Sequence, residues 1–483
     1  MFETIQAGHK GLLTLLAALA LAMLPACSTQ QDVQPTLHLI DANQFGLQAG
    51  VPVEAIETVQ PWWDAYGDAQ LSQLINQALF GNPSMQVAQA RLQRIVAQES
   101  YTRGGDKPAA QATTEVERQH FSKHGLYPPS VAGHALTIGT LQLESRWELD
   151  LFGLHRAELA SAIGQTHATQ ADLQAARLML SSQVARLYVQ LARLQDQHAL
   201  TQRTLAQRQE VLVLVRQRVD AGLDTAVELH QGEGALPDAQ LQLEALDEQI
   251  MVSRHALATL SGQAPQALDG LLASLGKLQA APTPAYVPVD LLGRRADVVA
   301  ALWRAQAAGH QVDAARAMFY PNVDLTSYAG FNAIGLDQLL KASSLQWGLV
   351  PAIHLPLFDA DRRRANLQGK VAEQDAALAN YNQTVLQAVQ EVADQMGSTQ
   401  SLARQRVAQQ AAQQSAEAAY TLVKARYGAG LGNYLLVLSA ESTVLAQRRL
   451  GVDLQARTLD TQFNLIRTLG GSLQAAAPTG DRS

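Results

Sequence analysis

Two long tracts of the chain carry apolar residues at the heptad spacing of coiled coils. No proline occurs between Pro356 and Pro478, and glycines cluster at 428, 430 and 432. The apolar series are Val371, Leu378, Val385 and Val392, with Tyr381, Ala388 and Leu402 beside them. Proline and glycine are poor helix formers, so this pattern predicts two helices joined by a glycine turn, a helical hairpin over about 361–469.

The same layout occurs earlier in the chain. The segment LFGLHRAEL at 151–159 resembles LFDADRRRA at 357–365, and RVDAGLD at 218–224 matches RYGAGLG at 426–432. A second proline-free tract runs between Pro129 and Pro237. We therefore predict a first hairpin at about 153–262 and two internal structural repeats, 61–280 and 281–471.

Before each hairpin the period of the pattern changes from about 3.6 to 2. From Leu141 to Leu151 apolar residues alternate with polar ones, which is typical of a strand with one apolar face. Strands are predicted at about 113–123, 139–151, 321–332 and 345–357. The charged positions of the polar face are Glu144, Arg146, Glu148, Asp150 and Asp324.

Strands of about ten residues are long enough to cross a bilayer at a tilt. Four strands cannot close a barrel, and an open strand edge in lipid is excluded, so other copies of the chain must complete the wall. Three copies give twelve strands, enough to enclose a water-filled lumen lined by the charged faces.

The N-terminus indicates export. Lys10 precedes an apolar run that is too short to span a bilayer and ends in Leu24-Pro-Ala-Cys27. We interpret 1–26 as a signal peptide and Cys27, the single cysteine, as the acceptor of a diacylglycerol; an unmodified cysteine near a plain cleavage site is the alternative. Residues 27–60 are predicted to form a lipid-anchored tether, and 472–483 a disordered tail.

Composition and charge narrow the function. Aromatic residues make up 5% of the chain, charged residues 16%, and the formal net charge is −7 without a basic stripe, so we expect no nucleic-acid partner. His120 and His124 lie too far apart on a predicted strand to bind the same metal ion. Glu148 and Asp150 alternate with apolar residues, so we interpret them as part of a water-facing wall of the lumen and not as an acid and base pair of a catalytic site. We expect no enzyme, no cofactor and no metal site.

Several short motifs together resemble the TolC-type outer-membrane efflux factors, in particular the lipoprotein branch that works with multidrug pumps. They are Cys27, Trp62-Trp63 with Asp68 and Leu71, 145–153, 294–298, 314–321, 356–359 with Arg362, 430–434 and 469–471. This resemblance implies a homotrimer in the outer membrane of a Gram-negative bacterium, with a twelve-stranded β-barrel continued through the periplasm by an α-helical coiled-coil barrel. It also implies a periplasmic adaptor protein and an inner-membrane pump as partners, besides outer-membrane lipid.

The resemblance places the hairpin turns at the periplasmic tip, where the duct narrows. The implied tip and gate residues are Gly222, Asp224, Glu228, Gly430, Gly432, Tyr434, Leu435 and Ser439. Leu435 keeps the apolar residue that occludes the closed tip in the family. Ser439 stands where relatives often have an aspartate of an acidic constriction, and Asp224 and Glu228 are the nearby acids that would compensate.

Together, these expectations predict that the protein is a passive exit duct for small toxic compounds. We expect the duct to open at its periplasmic tip when the second hairpin untwists. Two alternatives remain open at this point. One is the exit duct of a protein-secretion system, and the other is a periplasmic coiled-coil adaptor or scaffold without a pore.

Overall fold

A computed structural model describes residues 34–40, 61–280, 294–355 and 358–471. The expected signal peptide, Cys27, most of the tether and the tail at 472–483 lie outside these residues. Within the described ranges, none of the helices has the length and apolar content needed to cross a membrane.

Seven α-helices and four β-strands make up the described regular structure, besides short 3-10 turns. The helices are α1 (Ala69–Gly81), α2 (Pro83–Gly104), α3 (Leu154–Asp220), α4 (Ala226–Leu260), α5 (Ala296–Ala317), α6 (Ala360–Gly428) and α7 (Tyr434–Thr468). The strands are β1 (Ala109–His120), β2 (Ala135–Leu149), β3 (Asn322–Ile334) and β4 (Leu345–His354).

The strand ends differ from those predicted by alternation. β1 and β2 each begin four residues early, and β2 ends at Leu149, so Asp150 and Leu151 lie beyond the strand. Backbone pairing sets these ends, with Ala109 opposite Arg146 and His120 opposite Ala135. Residues 109–112 include no large apolar side chain, so no alternation marked them. His124 lies in the turn after β1, which corrects its placement on a strand.

The chain divides into two compact units. The first contains 93–168, 301–381 and the described part of 1–39, and it holds the sheet. The strands form one antiparallel sheet in the order β1-β2-β3-β4. Among the described residues, the outer edges of β1 and β4 have no strand partner.

Directly paired residues of neighbouring strands lie on the same face of a sheet. By this criterion, one face of this sheet carries apolar side chains on all four strands. Leu141 pairs with Phe331, which pairs with Leu345, and Leu143 pairs with Ala329, which pairs with Trp347. Most large side chains of this face are exposed in the single chain: Val116, Leu141, Leu143, Leu345, Trp347, Leu349 and Ile353. An apolar surface of this extent marks a contact with lipid or another protein.

The second unit contains the described residues of 40–92, 169–300 and 382–483. Its main core joins the 3-10 turn Trp62–Tyr66 with α1, α3, α4 and α7. Trp62 packs against Trp63, Tyr66 and Phe463 through tilted or edge-on rings, and both tryptophans are buried. Asp68 caps α1 and also accepts a hydrogen bond of 2.8 Å from the Tyr188 hydroxyl.

Candidate functional site

Both hairpin turns lie in the second unit, and each contains a glycine in the left-handed conformation followed by a helix N-cap. Gly222 and Gly430 adopt left-handed φ angles of 70° and 79°, which only glycine adopts without strain. The turns then end on equivalent helix caps. Thr225 forms a capping box with Glu228 at the start of α4, and the Asn433 side chain accepts a hydrogen bond of 3.1 Å from the Leu436 amide at the start of α7.

A three-residue cluster, which we call the tip latch, joins the two turns. It consists of Arg218, Asp224 and Tyr427. The Arg218 guanidinium donates to both Asp224 carboxylate oxygens, at 2.9 and 3.2 Å, and the Tyr427 hydroxyl donates to the same carboxylate at 2.5 Å. Arg218 also donates to the Tyr427 carbonyl at 3.2 Å and lies over its ring, 4.6 Å from the centroid. Asp224 therefore ties the first hairpin to the second.

The latch is largely shielded from solvent. The side chains of Arg218 and Asp224 are 11% and 6% exposed. The guanidinium, and after it the Tyr427 hydroxyl, hold the pKa of Asp224 below its ordinary value. Burial, and then the neighbouring Asp224 carboxylate, raise the pKa of Tyr427. At neutral pH the cluster therefore consists of a carboxylate, a guanidinium and a neutral phenol.

An apolar core supports the latch. Tyr427 and Tyr434 pack with Val211, Val215 and Val437, and burial raises the pKa of the Tyr434 hydroxyl to about 12. Further from the turns, Arg208 of α3 pairs with Glu441 of α7 at 3.1 Å. Their side chains are 14% and 8% exposed, so this second link between the hairpins is also buried.

The structure separates the predicted tip residues into buried and exposed ones. Tyr434 is 1% exposed, whereas Leu435 is 59% exposed and Ser439 is also exposed. Asp224 is engaged by the latch, and Glu228 holds the Thr225 backbone and hydroxyl in the capping box. Both acids expected to compensate for Ser439 thus already have local partners.

The sequence reasoning did not assign Tyr427 or Arg208 to the site. Comparing the two turns residue by residue offers one signal for the latch. Asp220 and Asp224 stand where the second turn has Gly428 and Gly432, so the first turn has two carboxylates that its twin lacks. Tyr427 stands where the first turn has Val219, so each partner of the hydrogen bond between Tyr427 and Asp224 is present in one turn only.

The polar face of the sheet carries four of the five predicted wall residues. Glu144, Arg146, Glu148 and Asp324 share this face by strand pairing. Arg146 lies 3.4 Å from the Asp324 carboxylate, and Asp324 is 4% exposed.

Asp150 is the exception: its placement on the strand was wrong, whereas its place in the lumen wall stays a prediction. Pairing ends at Leu149, and the Asp150 carboxylate instead accepts a hydrogen bond of 3.0 Å from the Arg156 amide in the first turn of α3. It therefore stabilises the start of the helix. No group of His, Cys, Asp and Glu within the described ranges is arranged to hold a metal ion.

Comparison with known proteins identifies the family of the chain. The family model described as "Outer membrane efflux protein" matches residues 74–263 and 287–471. The putative multidrug resistance outer membrane protein MdtQ of Escherichia coli K12 is 30% identical over 93% of this chain and 96% of its own. The fusaric acid resistance protein FusA of Burkholderia cepacia is 35% identical over 74% of this chain and 69% of its own.

Solved structures agree with the sequence comparisons. The outer membrane protein VceC of Vibrio cholerae superposes with a TM-score of 0.81 at 33% identity, covering 86% of this chain and 99% of that one. The outer-membrane channel OprN gives a TM-score of 0.82 at 27% identity, covering 92% and 100%. The chain belongs to the outer membrane efflux protein family and is an outer-membrane efflux channel subunit whose body lies in the periplasm.

Proposed function

We propose that three copies of the chain form a passive duct that carries small toxic organic compounds from an inner-membrane pump, through an adaptor protein, to the cell exterior. The observation that carries this proposal is the four-stranded sheet. It has an exposed apolar face, a polar face and two unpaired edges among the described residues.

The two edges determine how copies join. β1 and β4 run antiparallel to each other in the alternating sheet, so β4 of one copy can pair antiparallel with β1 of the next. Unpaired backbone groups in lipid are strongly unfavourable, and closure removes them. Twelve strands from three copies leave a wet lumen facing Glu144, Arg146, Glu148 and Asp324.

The helical hairpins would extend this lumen as a coiled-coil barrel. Each copy contributes the repeats 61–280 and 281–471, and with them the pairs α3/α4 and α6/α7. Diacylglycerol on Cys27 would anchor the tether. Its described part is held on α6, because Asp375 accepts hydrogen bonds from the Thr36 and Leu37 amides at 3.0 and 3.1 Å.

The cargo class follows from the relatives. MdtQ is named for multidrug resistance and FusA for resistance to fusaric acid. We infer that this duct also accepts small organic toxic compounds and that the pump supplies the energy.

The tip latch is the element that would keep the duct closed. Its hydrogen bonds hold Asp224 of one hairpin to Tyr427 of the other. Breaking them frees the hairpins to separate, a sliding change between two packed states. Gly222, Gly430 and Gly432 would shape the tip, and Leu435 would narrow its opening.

Deletion of the gene tests the function directly. The deletion strain is profiled against a panel of toxic organic compounds, with the wild-type gene and a Leu349→Arg variant supplied in trans. We expect greater sensitivity to some compounds, restored by the wild type and not by the variant. An unchanged profile across the panel, with the partner pump expressed, would contradict export of such compounds.

Assembly is tested separately on the purified full-length protein. We expect outer-membrane fractionation and an SDS-resistant trimer that dissociates on heating. A stable water-soluble monomer would contradict the duct.

A further inference from the structure

The returning helix of the first hairpin, α4, contains three helix-breaking residues close together. Gly232, Gly234 and Pro237 lie inside the helix, which nevertheless continues from Ala226 to Leu260. Proline has no amide hydrogen, so the Glu233 carbonyl loses its intrahelical donor at this turn. Sharp bends in helices concentrate at proline and glycine. We call residues 232–237 the breaker segment.

The second hairpin has no such segment at the matching place. Thr225 and Asn433 cap α4 and α7 at equivalent positions, so the residues that follow them can be compared one by one. In α7 the three breaker positions are occupied by Ala440, Ser442 and Leu445. The hairpin therefore forms without glycine or proline at these positions.

Packing accounts for only one of the three breakers. Gly232 is buried, and a Cβ atom there would lie 2.9 Å from Leu212 Cδ1 and 3.5 Å from the Tyr434 hydroxyl. Gly234 has open space around it, and both Gly234 and Pro237 are exposed. At exposed helix positions stronger helix formers would be expected, so these two residues weaken α4 without a packing gain.

One arginine side chain, that of Arg208, forms a hydrogen bond with the breaker segment. Arg208 of α3 donates to the Ala235 carbonyl at 2.8 Å and pairs with Glu441 of the second hairpin at 3.1 Å. Asp238 lies 3.7 Å from the same guanidinium. The weakened turn is thus held by the side chain that also joins the two hairpins.

We propose that residues 232–237 are the hinge on which the tip of the first hairpin bends when the latch opens, with Arg208 as the residue that positions it. This inference rests on the proposed gate. It places the bending segment in the first hairpin, whereas the sequence alone predicted that the second hairpin untwists.

Two double variants of the full-length protein test the hinge in planar bilayers. The first, Gly234→Ala with Pro237→Leu, gives α4 helix formers at exposed positions. The control, Gly369→Ala with Gly397→Ala, replaces two helix-weakening glycines of α6, both of which have open space around them. Each is combined with Tyr427→Phe, which breaks the latch.

We expect Tyr427→Phe to raise conductance, the first double variant to reduce that rise roughly tenfold, and the control to leave it in place. A rise that persists in the first double variant would overturn the hinge while leaving the gate standing. No rise with Tyr427→Phe alone would instead count against the latch as the gate.

Hydrogen exchange of the wild-type protein tests the hinge without reference to the gate. Amides of residues 233–236 and 238–241 are expected to exchange about ten times faster than those of 441–444 and 446–449, their counterparts in α7. Equal exchange in the two helices would overturn the hinge whatever the bilayer recordings give. The single variant Gly234→Ala repeats both measurements if the double variant does not assemble.

Discussion

The Tyr427 hydroxyl donates a hydrogen bond of 2.5 Å to the carboxylate of Asp224, which lies on the other hairpin and 203 residues away in the sequence. A hydrogen bond to a charged, shielded group contributes about 1.5–3 kcal/mol. Tyr427→Phe removes this bond and keeps the ring in its core. We therefore expect single-channel conductance in planar bilayers to rise severalfold.

Tyr420→Phe is the matched control for that variant. Tyr420 packs against the same apolar core, and its buried hydroxyl has no hydrogen-bond partner among the described residues. Removing it should leave conductance at the wild-type level. Equal effects of the two variants would mean that ring packing, and not the latch, controls the tip.

The acid stability of the latch follows from the lowered pKa of Asp224. A carboxyl whose pKa is lower in the folded protein stabilises it above the unfolded value and loses that contribution as pH falls through the folded value. The ordinary value is 3.8. Conductance at pH 5 should therefore match that at pH 7 and rise only below the ordinary aspartate range. Asp224→Asn should be open at both pH values, and a wild-type transition between pH 5 and 7 would contradict this assignment.

The sequence predicted the hairpins well, because heptad spacing and glycine turns are local signals that need no knowledge of partners. It did not place the ends of β1, since Ala109 and its neighbours carry no alternation and only pairing with β2 orders them. The latch was also missed as a unit. Asp224 stood out as an acid, but its partner Tyr427 comes from the other hairpin, and folding alone brings them together.

The buried pair of Arg208 and Glu441 should contribute far more to stability than the exposed pair of Arg216 and Glu233 in the first hairpin. Glu441→Gln removes the closer carboxylate from the 14% exposed Arg208 guanidinium and leaves Asp238 at 3.7 Å, a change that costs about 1–3 kcal/mol. Glu233, at the matching position, pairs with Arg216 where both side chains are at least 40% exposed, so Glu233→Gln should change little. Thermal unfolding followed by circular dichroism should show a lower midpoint for Glu441→Gln alone. Equal midpoints would contradict a structural role for the buried pair.

Leu435 provides a test of the constriction. It is 59% exposed, and its counterpart in the first hairpin, Val227, is 61% exposed, so neither substitution disturbs a packed core. If copies of Leu435 approach each other at the closed tip, Leu435→Asp adds like charges there and should raise conductance severalfold. Val227→Asp is expected to have a smaller effect. The reverse order would place the constriction in the first hairpin.

Leu349 and Val350 are adjacent residues of β4 on opposite faces of the sheet, so substitutions at these two positions test which face contacts lipid. Leu349 pairs with Ser327 on the apolar face and is 63% exposed, whereas Val350 pairs with Thr326 on the polar face and is 48% exposed. An arginine facing the middle of a bilayer costs about 2–4 kcal/mol, and one facing a wet lumen costs little. Leu349→Arg should therefore reduce the heat-dissociable trimer recovered from outer membranes, while Val350→Arg assembles normally. If Val350→Arg were the damaging variant, the apolar face would line the interior and the orientation of the sheet proposed here would be wrong.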